Sequence, residues 1–277
     1  MFVEVSKTEK IPKHNFENIL NLDQLKNKII FFYTDLDQPE NIIWKYYAVL
    51  PSFEQKKIDA YKVKAIKDRQ ILLKGLLHVL LGCYLKTDPQ SIEFEYNKFG
   101  KPFMPDHPKY KNICFNISHS NNIAVYGFTQ KRNIGVDVEK VRELPDMNGV
   151  IDLCFSDSEK KWFNMISSQD KNKIFYKIWT SKEAYLKAIG TGLSFSPDKI
   201  STGLNSEGDI IFENIEGDEN PEKWRLDAFS INPHFTSAIV AENKNSEIKY
   251  FKIDPRDIAK LLSDGNFEYS GWVKVPS

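Results

Sequence analysis

The stretch Asn133-Ile-Gly-Val-Asp-Val-Glu-Lys140 decides the fold, because its side chains alternate between two chemistries. With the two-residue period of a β-strand, every second residue from Ile134 is apolar and points to one face, whereas Gly135, Asp137 and Glu139 point to the other. Two acids on one face of a strand repel each other, which costs free energy unless a cation or strong donors lie between them. The sequence therefore predicts a strand with one buried apolar face and one acidic face.

Two interpretations of the acidic face are open. The simpler one is a solvated edge strand, which needs no ligand. The other is a cation site, favoured because the opposite face must be buried and because Gly135 removes a side chain where something could approach closely. A hard divalent cation prefers oxygen ligands, and Mg²⁺ usually arrives with substrate phosphates and waters.

Length and composition exclude several classes of protein. The chain has 277 residues, enough for one large or two modest domains, and its 38 basic residues balance 38 acidic ones. We therefore expect neither a nucleic-acid partner nor a membrane, since no apolar run is long enough to span one and the N-terminus lacks a signal-peptide core. Cys83, Cys114 and Cys154 form neither a metal knuckle nor an even disulfide set, which predicts buried thiols and a reduced, cytoplasmic location.

Before the central stretch, the sequence predicts a polar lead-in, a strand and two helices. The lead-in covers residues 1 to about 28, and the strand is Ile29–Tyr33. Ser52 and Gln55 have the spacing of a capping box that opens the first helix, and the second helix runs to about Leu81.

These two predicted helices are locally basic. Such a run of cations is commonly a solvated helix surface, but it also suits a phosphate site, because it is far more basic than a neutral protein requires. Both interpretations stay open. The residues concerned are Lys56, Lys57, Lys62, Lys64, Lys67, Arg69 and Lys74.

Two further segments lie between the helices and the acidic strand. Asn97–Pro102 is predicted to be a loop in which Gly100 and Pro102 fix the direction of Lys101. Cys114–Phe128 is predicted to form two strands around a polar turn, with His119 at that turn.

A long helix is predicted over about Lys171 to Ile189, followed by the stop signal Gly190-Thr-Gly192. Lys182 falls inside its apolar arc and Glu183 at the edge. Either Lys182 snorkels and pairs with a local acid, or both residues line a cleft and meet a phosphate and a cation. Lys187, one turn after Glu183, is predicted to steady that carboxylate. The apolar arc consists of Ile174, Phe175, Ile178, Trp179, Tyr185, Leu186 and Ile189.

Two features frame this helix. Upstream, Ser156 and Glu159 have capping-box spacing, which gives Glu159 a complete structural explanation. Downstream, the chain alternates short strands and turns through Trp224–Phe229 and Thr236–Val240, and a last helix and a polar tail follow.

Three carboxylates, a lysine in a buried sector and an upstream basic segment together describe phosphoryl-transfer chemistry without a P-loop. With these motifs the sequence resembles the Sfp-type 4'-phosphopantetheinyl transferases. The segments that carry the resemblance span most of residues 29 to about 240, in the family's order. They are Gly100-Lys-Pro102, Phe115-Asn-Ile-Ser-His-Ser120, Gly135-Val-Asp-Val-Glu139, Phe155-Ser-Asp-Ser-Glu159 and Trp179-Thr-Ser-Lys-Glu-Ala-Tyr-Leu-Lys187.

The resemblance implies a mixed α+β fold made of a pseudo-twofold pair of similar lobes, each a small, mostly antiparallel sheet packed with helices. Residues 1–131 would form the lobe with nucleotide and 3'-phosphate contacts, and residues 132–277 the lobe with the metal site and catalytic helix. It implies Mg²⁺-dependent transfer, with Mn²⁺ as a possible substitute, of 4'-phosphopantetheine from coenzyme A to a serine of an apo acyl or peptidyl carrier protein. Unlike the short trimeric type of this enzyme, one chain is long enough to supply both halves of the cleft, so we expect a monomer.

The resemblance also implies roles for single residues. Asp137, Glu139 and Glu183 match the metal ligands. Lys182 matches the lysine that contacts the pyrophosphate, and Glu159 matches the proposed general base.

Contacts to coenzyme A are implied at other positions. Ser118 and His119 match contacts to the nucleotide 3'-phosphate, and Lys101 matches a contact near the adenine end. Apart from Lys182, the residues that match contacts to coenzyme A are Lys56, Lys67, Lys101, Pro102, Ser118, His119 and Lys187.

Two other classes of function compete with this one. A non-catalytic module that binds coenzyme A or a nucleotide would keep the basic helices and leave the acids idle, but all three carboxylates are present. A nucleic-acid binder is disfavoured by the neutral net charge and by the lack of an aromatic-rich basic pattern.

Overall fold

The computed structural model describes residues 9–10 and 19–264. Most of the predicted lead-in, residues 1–28, and the polar tail after residue 264 therefore lie outside the described residues. In the described part of the chain, no helix combines the length and apolar content that crossing a membrane requires.

The first half of the chain contains a strand, three helices, a hairpin and two further strands, preceded by two short elements. Their bounds are β1 (Glu9–Lys10), α1 (Gln24–Asn27), β2 (Lys28–Asp35), α2 (Glu40–Ala48), α3 (Ser52–Asp59), α4 (Lys64–Leu85), β3 (Glu95–Tyr96), β4 (Pro102–Phe103), β5 (Ile113–Ser120) and β6 (Ile123–Gln130).

The second half begins at the acidic strand and repeats this order, and a further strand and helix follow. Their bounds are β7 (Ile134–Lys140), α5 (Met147–Cys154), α6 (Asp157–Phe163), α7 (Ser168–Ile189), β8 (Ile200–Leu204), β9 (Ile210–Ile215), β10 (Trp224–Asn232), β11 (Phe235–Glu242), β12 (Glu247–Lys252) and α8 (Pro255–Asp264).

Strand pairing repeats as well. In the first half β2 pairs antiparallel with β6, which pairs with β5; in the second half β7 pairs antiparallel with β11, which pairs with β10. The long helices α4 and α7 have 22 residues each. The mixed α+β fold with two similar lobes is therefore confirmed, as are the predicted strands within β2, β7, β10 and β11.

The predicted lobe boundary needs one correction. Strand β12 pairs in parallel with β2, so the first sheet has the order β1-β12-β2-β6-β5, whereas the second has the order β10-β11-β7. Helix α8 follows β12, and the hydroxyl of Tyr46 donates to the backbone oxygen of Pro255 at 2.8 Å. Residues 247–264 thus belong to the first lobe, although the sequence assigned 132–277 to the second.

The two sheets pack against each other through apolar faces, which places the acidic strand at the centre of the molecule. Alternate residues of β2 meet the apolar face of β7, as the alternation in the sequence predicts. This shared core includes Ile29, Phe31, Tyr33, Val125, Ile134, Val136, Val138, Phe229 and Ile239.

The helix ends were predicted with mixed success. Helix α7 ends at Gly190, whose φ of +72° suits glycine, as predicted. The capping box at Ser52 was wrong, because Pro51 is the N-cap and no side chain caps the helix. The Gln55 amide instead donates to backbone oxygens of Tyr47 and Leu50 at 3.0 and 3.1 Å.

Candidate active site

The acidic strand β7 is an edge strand of its sheet, but it is not solvated. The edge strand of the other sheet, β5, covers it with side chains. Asn116 Oδ1 accepts the amide of Val136 at 2.9 Å, and Ser120 Oγ accepts the amide of Lys140 at 3.2 Å. These contacts occupy amides that an edge strand would otherwise expose. The solvated-edge interpretation is therefore wrong, although the edge position itself is correct.

Gly135 brings helix α7 close to the strand. A Cβ atom at this position would lie 1.9 Å from the backbone oxygen of Ala184 and 2.4 Å from the amide nitrogen of Ala188. The space that the sequence predicted beside the acids is thus filled by the helix backbone. Glu183 and Lys187 directly precede these alanines and are one turn apart, so the close approach carries both toward the acidic face.

Asp137 lies at the centre of the cleft and is only 3% exposed. Its Oδ1 accepts hydrogen bonds from Ser118 Oγ at 2.9 Å and from Lys187 Nζ at 2.6 Å. Its Oδ2 is buried and has no hydrogen-bond donor among the residues that the structure describes. Lys187 therefore forms its ion pair with Asp137. Its charge also opposes the rise in the pKa of Glu183, so it steadies that carboxylate electrostatically, as predicted, although no described hydrogen bond joins the two.

The three acids act on one another electrostatically. Burial raises the pKa of Glu139 above its ordinary value, and the charge of Asp137 raises it further. Burial also raises the pKa of Glu183, with additional contributions from the charges of Asp137 and Glu139. These mutual effects indicate that the three acids lie near one another, and their joint binding of one ion stays a prediction.

The donor set of this cleft suits a hard cation. As the side chains stand, no three His, Cys, Asp or Glu residues within 9–10 and 19–264 are close enough together to hold a metal ion. The cationic partner of Asp137 is instead the ammonium of Lys187. Even so, a buried carboxylate oxygen without a donor is costly, and two further carboxylates lie nearby. An oxygen-binding divalent ion fits this arrangement.

Lys182 and Glu159 form a fully buried ion pair. Lys182 Nζ donates to Glu159 Oε2 at 2.5 Å and to the backbone oxygens of Cys154 and Pro197 at 2.7 and 2.9 Å. Burial lowers the pKa of Lys182, and the carboxylate of Glu159 opposes that shift. As it stands, Lys182 pairs with a local acid and does not line the cleft, and it is too buried to snorkel.

Glu159 completes its hydrogen bonds within the same pocket. Its Oε1 accepts the amide and the hydroxyl of Thr202 at 2.8 and 2.7 Å. Its Oε2 also accepts the amide of Ser156, and Ser156 Oγ accepts the amide of Glu159, so the predicted capping box is confirmed. The structure thus places the two predicted catalytic residues together, and no described hydrogen bond joins either of them to the predicted metal ligands.

His119 lies in β5 itself, next to the turn at which it was predicted. Its Nε2 is 3.3 Å from the side-chain nitrogen of Gln70 on α4. Burial lowers the pKa of His119, and the charges of Lys187 and Arg69 lower it further. One cation from each lobe, Arg69 on α4 and Lys187 on α7, therefore acts on His119.

Lys101 joins the start of β7 to the end of α7. Its Nζ donates to the backbone oxygens of Ile134 and Ala188 at 3.2 and 3.0 Å. Burial lowers the pKa of Lys101 to about 8. Beside it opens a cavity of about 330 Å³ that is also lined by Phe103, the residue after Pro102.

The basic helices contribute less than the sequence suggested. Lys67 pairs with Asp59 at 2.8 Å, and Arg69 pairs with Asp37 at 2.7 Å. Lys56 is exposed on α3. No described contact joins Lys56 or Lys67 to the acidic cleft, which favours the interpretation of this segment as a solvated surface laced with ion pairs.

Two serines orient the acids, and of these the sequence named only Ser118, as a contact to the nucleotide 3'-phosphate and not as a donor to Asp137. Ser120 Oγ donates to Glu139 Oε2 at 2.9 Å, just as Ser118 serves Asp137. The two serines alternate with His119 on β5, so a two-residue period applied to that strand would have placed both serines on the face toward β7.

Comparison with known proteins found a matching family profile and several relatives. The family profile of the 4'-phosphopantetheinyl transferase superfamily matches residues 133–241. The chain is 33% identical over 174 residues to the 4'-phosphopantetheinyl transferase HetI of Nostoc sp., which covers 63% of this chain and 73% of that protein. It is 31% identical over 203 residues to a 4'-phosphopantetheinyl transferase of Bacillus subtilis, covering 69% of this chain and 87% of the relative.

A third relative is the 4'-phosphopantetheinyl transferase Sfp of Bacillus subtilis, which is 26% identical over 216 residues, with 77% of this chain and 92% of that protein covered. The profile match includes the acidic strand and the whole of α7, the two elements that build the cleft. The chain belongs to the 4'-phosphopantetheinyl transferase family.

Proposed function

We propose that this protein transfers the 4'-phosphopantetheine group from coenzyme A to a serine of an apo carrier protein, giving the holo carrier and adenosine 3',5'-bisphosphate. Family membership and the names of its relatives support this activity. The observation that carries the proposal is the cleft shared by Asp137, Glu139 and Glu183, in which one buried carboxylate oxygen has no donor within the described residues.

The three carboxylates would hold Mg²⁺, or Mn²⁺ in its place. When bound, the ion would neutralise charge on the diphosphate of coenzyme A and on the leaving group. The chain's own contribution is to orient the ligands, because Ser118 fixes Asp137 and Ser120 fixes Glu139. Hydrogen bonds of this kind preset the carboxylates for a cation.

Positive groups around the cleft would bind the phosphates of coenzyme A. The positive groups are Lys101 and Lys187 between β7 and α7, together with the cations that act on His119 of β5. A phosphate beside Lys101 would favour its charged form and offset the effect of burial. Lys56 and Lys67 could contact only a part of the substrate that extends beyond these groups.

Glu159 was predicted as the general base and Lys182 as a pyrophosphate contact. Both side chains are fully buried, and the Lys182 ammonium and the Glu159 carboxylate each have hydrogen-bond partners. The geometry therefore supports a structural role for the pair. We propose that it anchors α6 to α7 and so holds the helix that carries Glu183 in place.

Both sides of the cleft come from one chain, β5 from the first lobe and β7 and α7 from the second. This supports a monomer as the active species. The identity of the carrier, acyl or peptidyl, and the cytoplasmic location stay predictions.

Incubation of a panel of apo carriers with coenzyme A, Mg²⁺ and the protein, read by mass spectrometry, tests the proposed activity. We expect the mass of one phosphopantetheine on the carrier serine. Binding of coenzyme A without transfer to any carrier, in the presence of Mg²⁺, would instead favour the non-catalytic binding module.

A further inference from the structure

The ammonium of Lys187 occupies the cationic position at the centre of the acidic cleft. It lies 2.6 Å from Asp137 Oδ1 and 2.8 Å from Ser118 Oγ. The same Oδ1 also accepts the Ser118 hydroxyl, so these three side chains form a closed triangle. Lys187 is thus the built-in counter-ion of Asp137.

This counter-ion neutralises only part of the cleft. Asp137 Oδ2 stays buried without a donor among the described residues, and Glu139 and Glu183 contribute further negative charge. Lys187 therefore stabilises the acids but leaves one carboxylate oxygen without a donor and a net negative charge in the cleft. Binding of an additional cation, or of one with a higher charge, is still favoured there.

A divalent ion and an ammonium on one carboxylate repel each other, and the repulsion is strong because Asp137 is buried. The side chain of Lys187 can move away more easily than that of Asp137. Its side chain is 30% exposed, whereas that of Asp137 is 4% exposed. The long, flexible lysine can turn toward the open cleft without unpacking α7.

We propose that Lys187 competes with the metal ion for Asp137, and that metal binding releases its ammonium into the cleft, where it meets the diphosphate of coenzyme A. The second step rests on the proposed function, since it needs coenzyme A in this cleft. The exchange couples the two ligands, because coenzyme A captures the lysine that the metal displaces. By linkage, each ligand then raises the affinity for the other.

The test measures the affinity for Mn²⁺, alone and with coenzyme A, by calorimetry on the full chain. Lys187→Met removes the competitor, and Lys187→Gln removes its charge while keeping a hydrogen-bond donor. Lys187→Arg keeps the charge, and Lys173→Met on the same helix is the matched control. We expect the dissociation constant for Mn²⁺ alone to fall at least about tenfold in the Met and Gln variants and to stay unchanged in the Arg variant and the control.

The coupling is measured in the same experiment. Coenzyme A should strengthen Mn²⁺ binding in the wild type and do so less in Lys187→Met and Lys187→Gln. If Mn²⁺ alone binds these variants with wild-type affinity or more weakly, the competition is refuted. Lys187→Gln carries the test if Lys187→Met does not fold.

Failure of the proposed function has a different signature. Tighter Mn²⁺ binding in the variants, together with no transfer by the wild type to any carrier, would support the competition and refute the transferase activity. The absence of Mn²⁺ binding in the wild type and in every variant would overturn both the metal site and the competition.

Discussion

The two halves of the molecule share one order of elements but use the same strand face differently. In the first half, Ile30 and Phe32 of β2 pack into the hydrophobic core beneath α4. In the second half, the corresponding face of β7 carries Gly135, Asp137 and Glu139 and turns toward α7. The same arrangement of strand and long helix thus occurs in both halves. In the second half, acidic residues on the strand face toward the helix form a cleft where the first half has a hydrophobic core.

The halves also share an ion pair between the short helix and the long helix. Glu54 on α3 pairs with Lys74 on α4 at 2.5 Å, and Glu159 on α6 pairs with Lys182 on α7 at 2.5 Å. Each glutamate is the third residue of its helix. Because the pair recurs in the half without the acidic cleft, its recurrence favours a structural role for Glu159.

The largest loss of transfer is expected from a substitution on the acidic face of β7, which has no counterpart in the first half. Asp137→Ala should reduce transfer by more than about 100-fold, since it removes a metal ligand, while the fold stays intact. The matched change in the first half, Phe32→Leu, should lower stability by about 1 kcal/mol and leave transfer per folded molecule unchanged. Carrier mass spectrometry and thermal melting distinguish the two. Wild-type transfer by Asp137→Ala would refute the metal assignment.

The shared ion pair should control stability more than chemistry. Glu159→Gln leaves Lys182 buried without a counter-charge and should lower the free energy of unfolding by about 3–5 kcal/mol. Glu54→Gln should cost less, because the Lys74 side chain is 28% exposed, against 1% for Lys182. Denaturant unfolding measures both. A selective loss of transfer rate by Glu159→Gln, at wild-type stability, would show that Glu159 is the base after all.

Acid crowding in the second half should appear as a pH effect on stability. The native state binds the Glu183 proton more tightly than the unfolded state, because its folded pKa is raised above 4.5. Without metal, the contribution of Glu183 to the free energy of unfolding should therefore fall as pH rises from about 4.5, and Glu183→Gln should remove that contribution.

Urea unfolding at low and neutral pH in the presence of a chelator measures this contribution. The exposed residue Glu207 supplies the control, Glu207→Gln, which should follow the wild type. A Glu183→Gln variant with the wild-type pH dependence would show that the acids do not crowd one another.

The smallest effect concerns Lys101. Its pKa of about 8 means that it is largely neutral at about pH 9, and a bound phosphate would recharge it. Binding of coenzyme A should therefore take up a proton at about pH 9 and none from this group at about pH 6. Calorimetry in buffers of different ionisation enthalpy measures this uptake, which Lys101→Met should abolish; equal uptake by the variant would remove Lys101 from the binding site.

Local patterns in the sequence predicted much of this structure. The alternation in β7, the capping box at Ser156 and Glu159, and the helix stop at Gly190 depend on neighbours within a few residues. Each of these features is set by backbone geometry or by one short segment, so periodicity is sufficient to find it.

Local patterns did not predict contacts between segments that are distant in the sequence. Lys187 meets Asp137, 50 residues away, rather than the nearer Glu183, because Gly135 lets the helix settle on the strand. The capping box at Ser52 failed because Gln55 found better acceptors on the preceding turn. The return of β12 to the first sheet likewise depends on pairing with a strand at the other end of the chain.

The central claim is that one ion joins the acids of the second half to the diphosphate of coenzyme A. Pulsed electron paramagnetic resonance on the Mn²⁺-loaded protein with coenzyme A tests it most directly, through the hyperfine coupling between Mn²⁺ and ³¹P. We predict direct ³¹P coupling in the wild type and its loss in Asp137→Ala. Bound Mn²⁺ without ³¹P coupling, or coupling that survives in Asp137→Ala, would contradict the account.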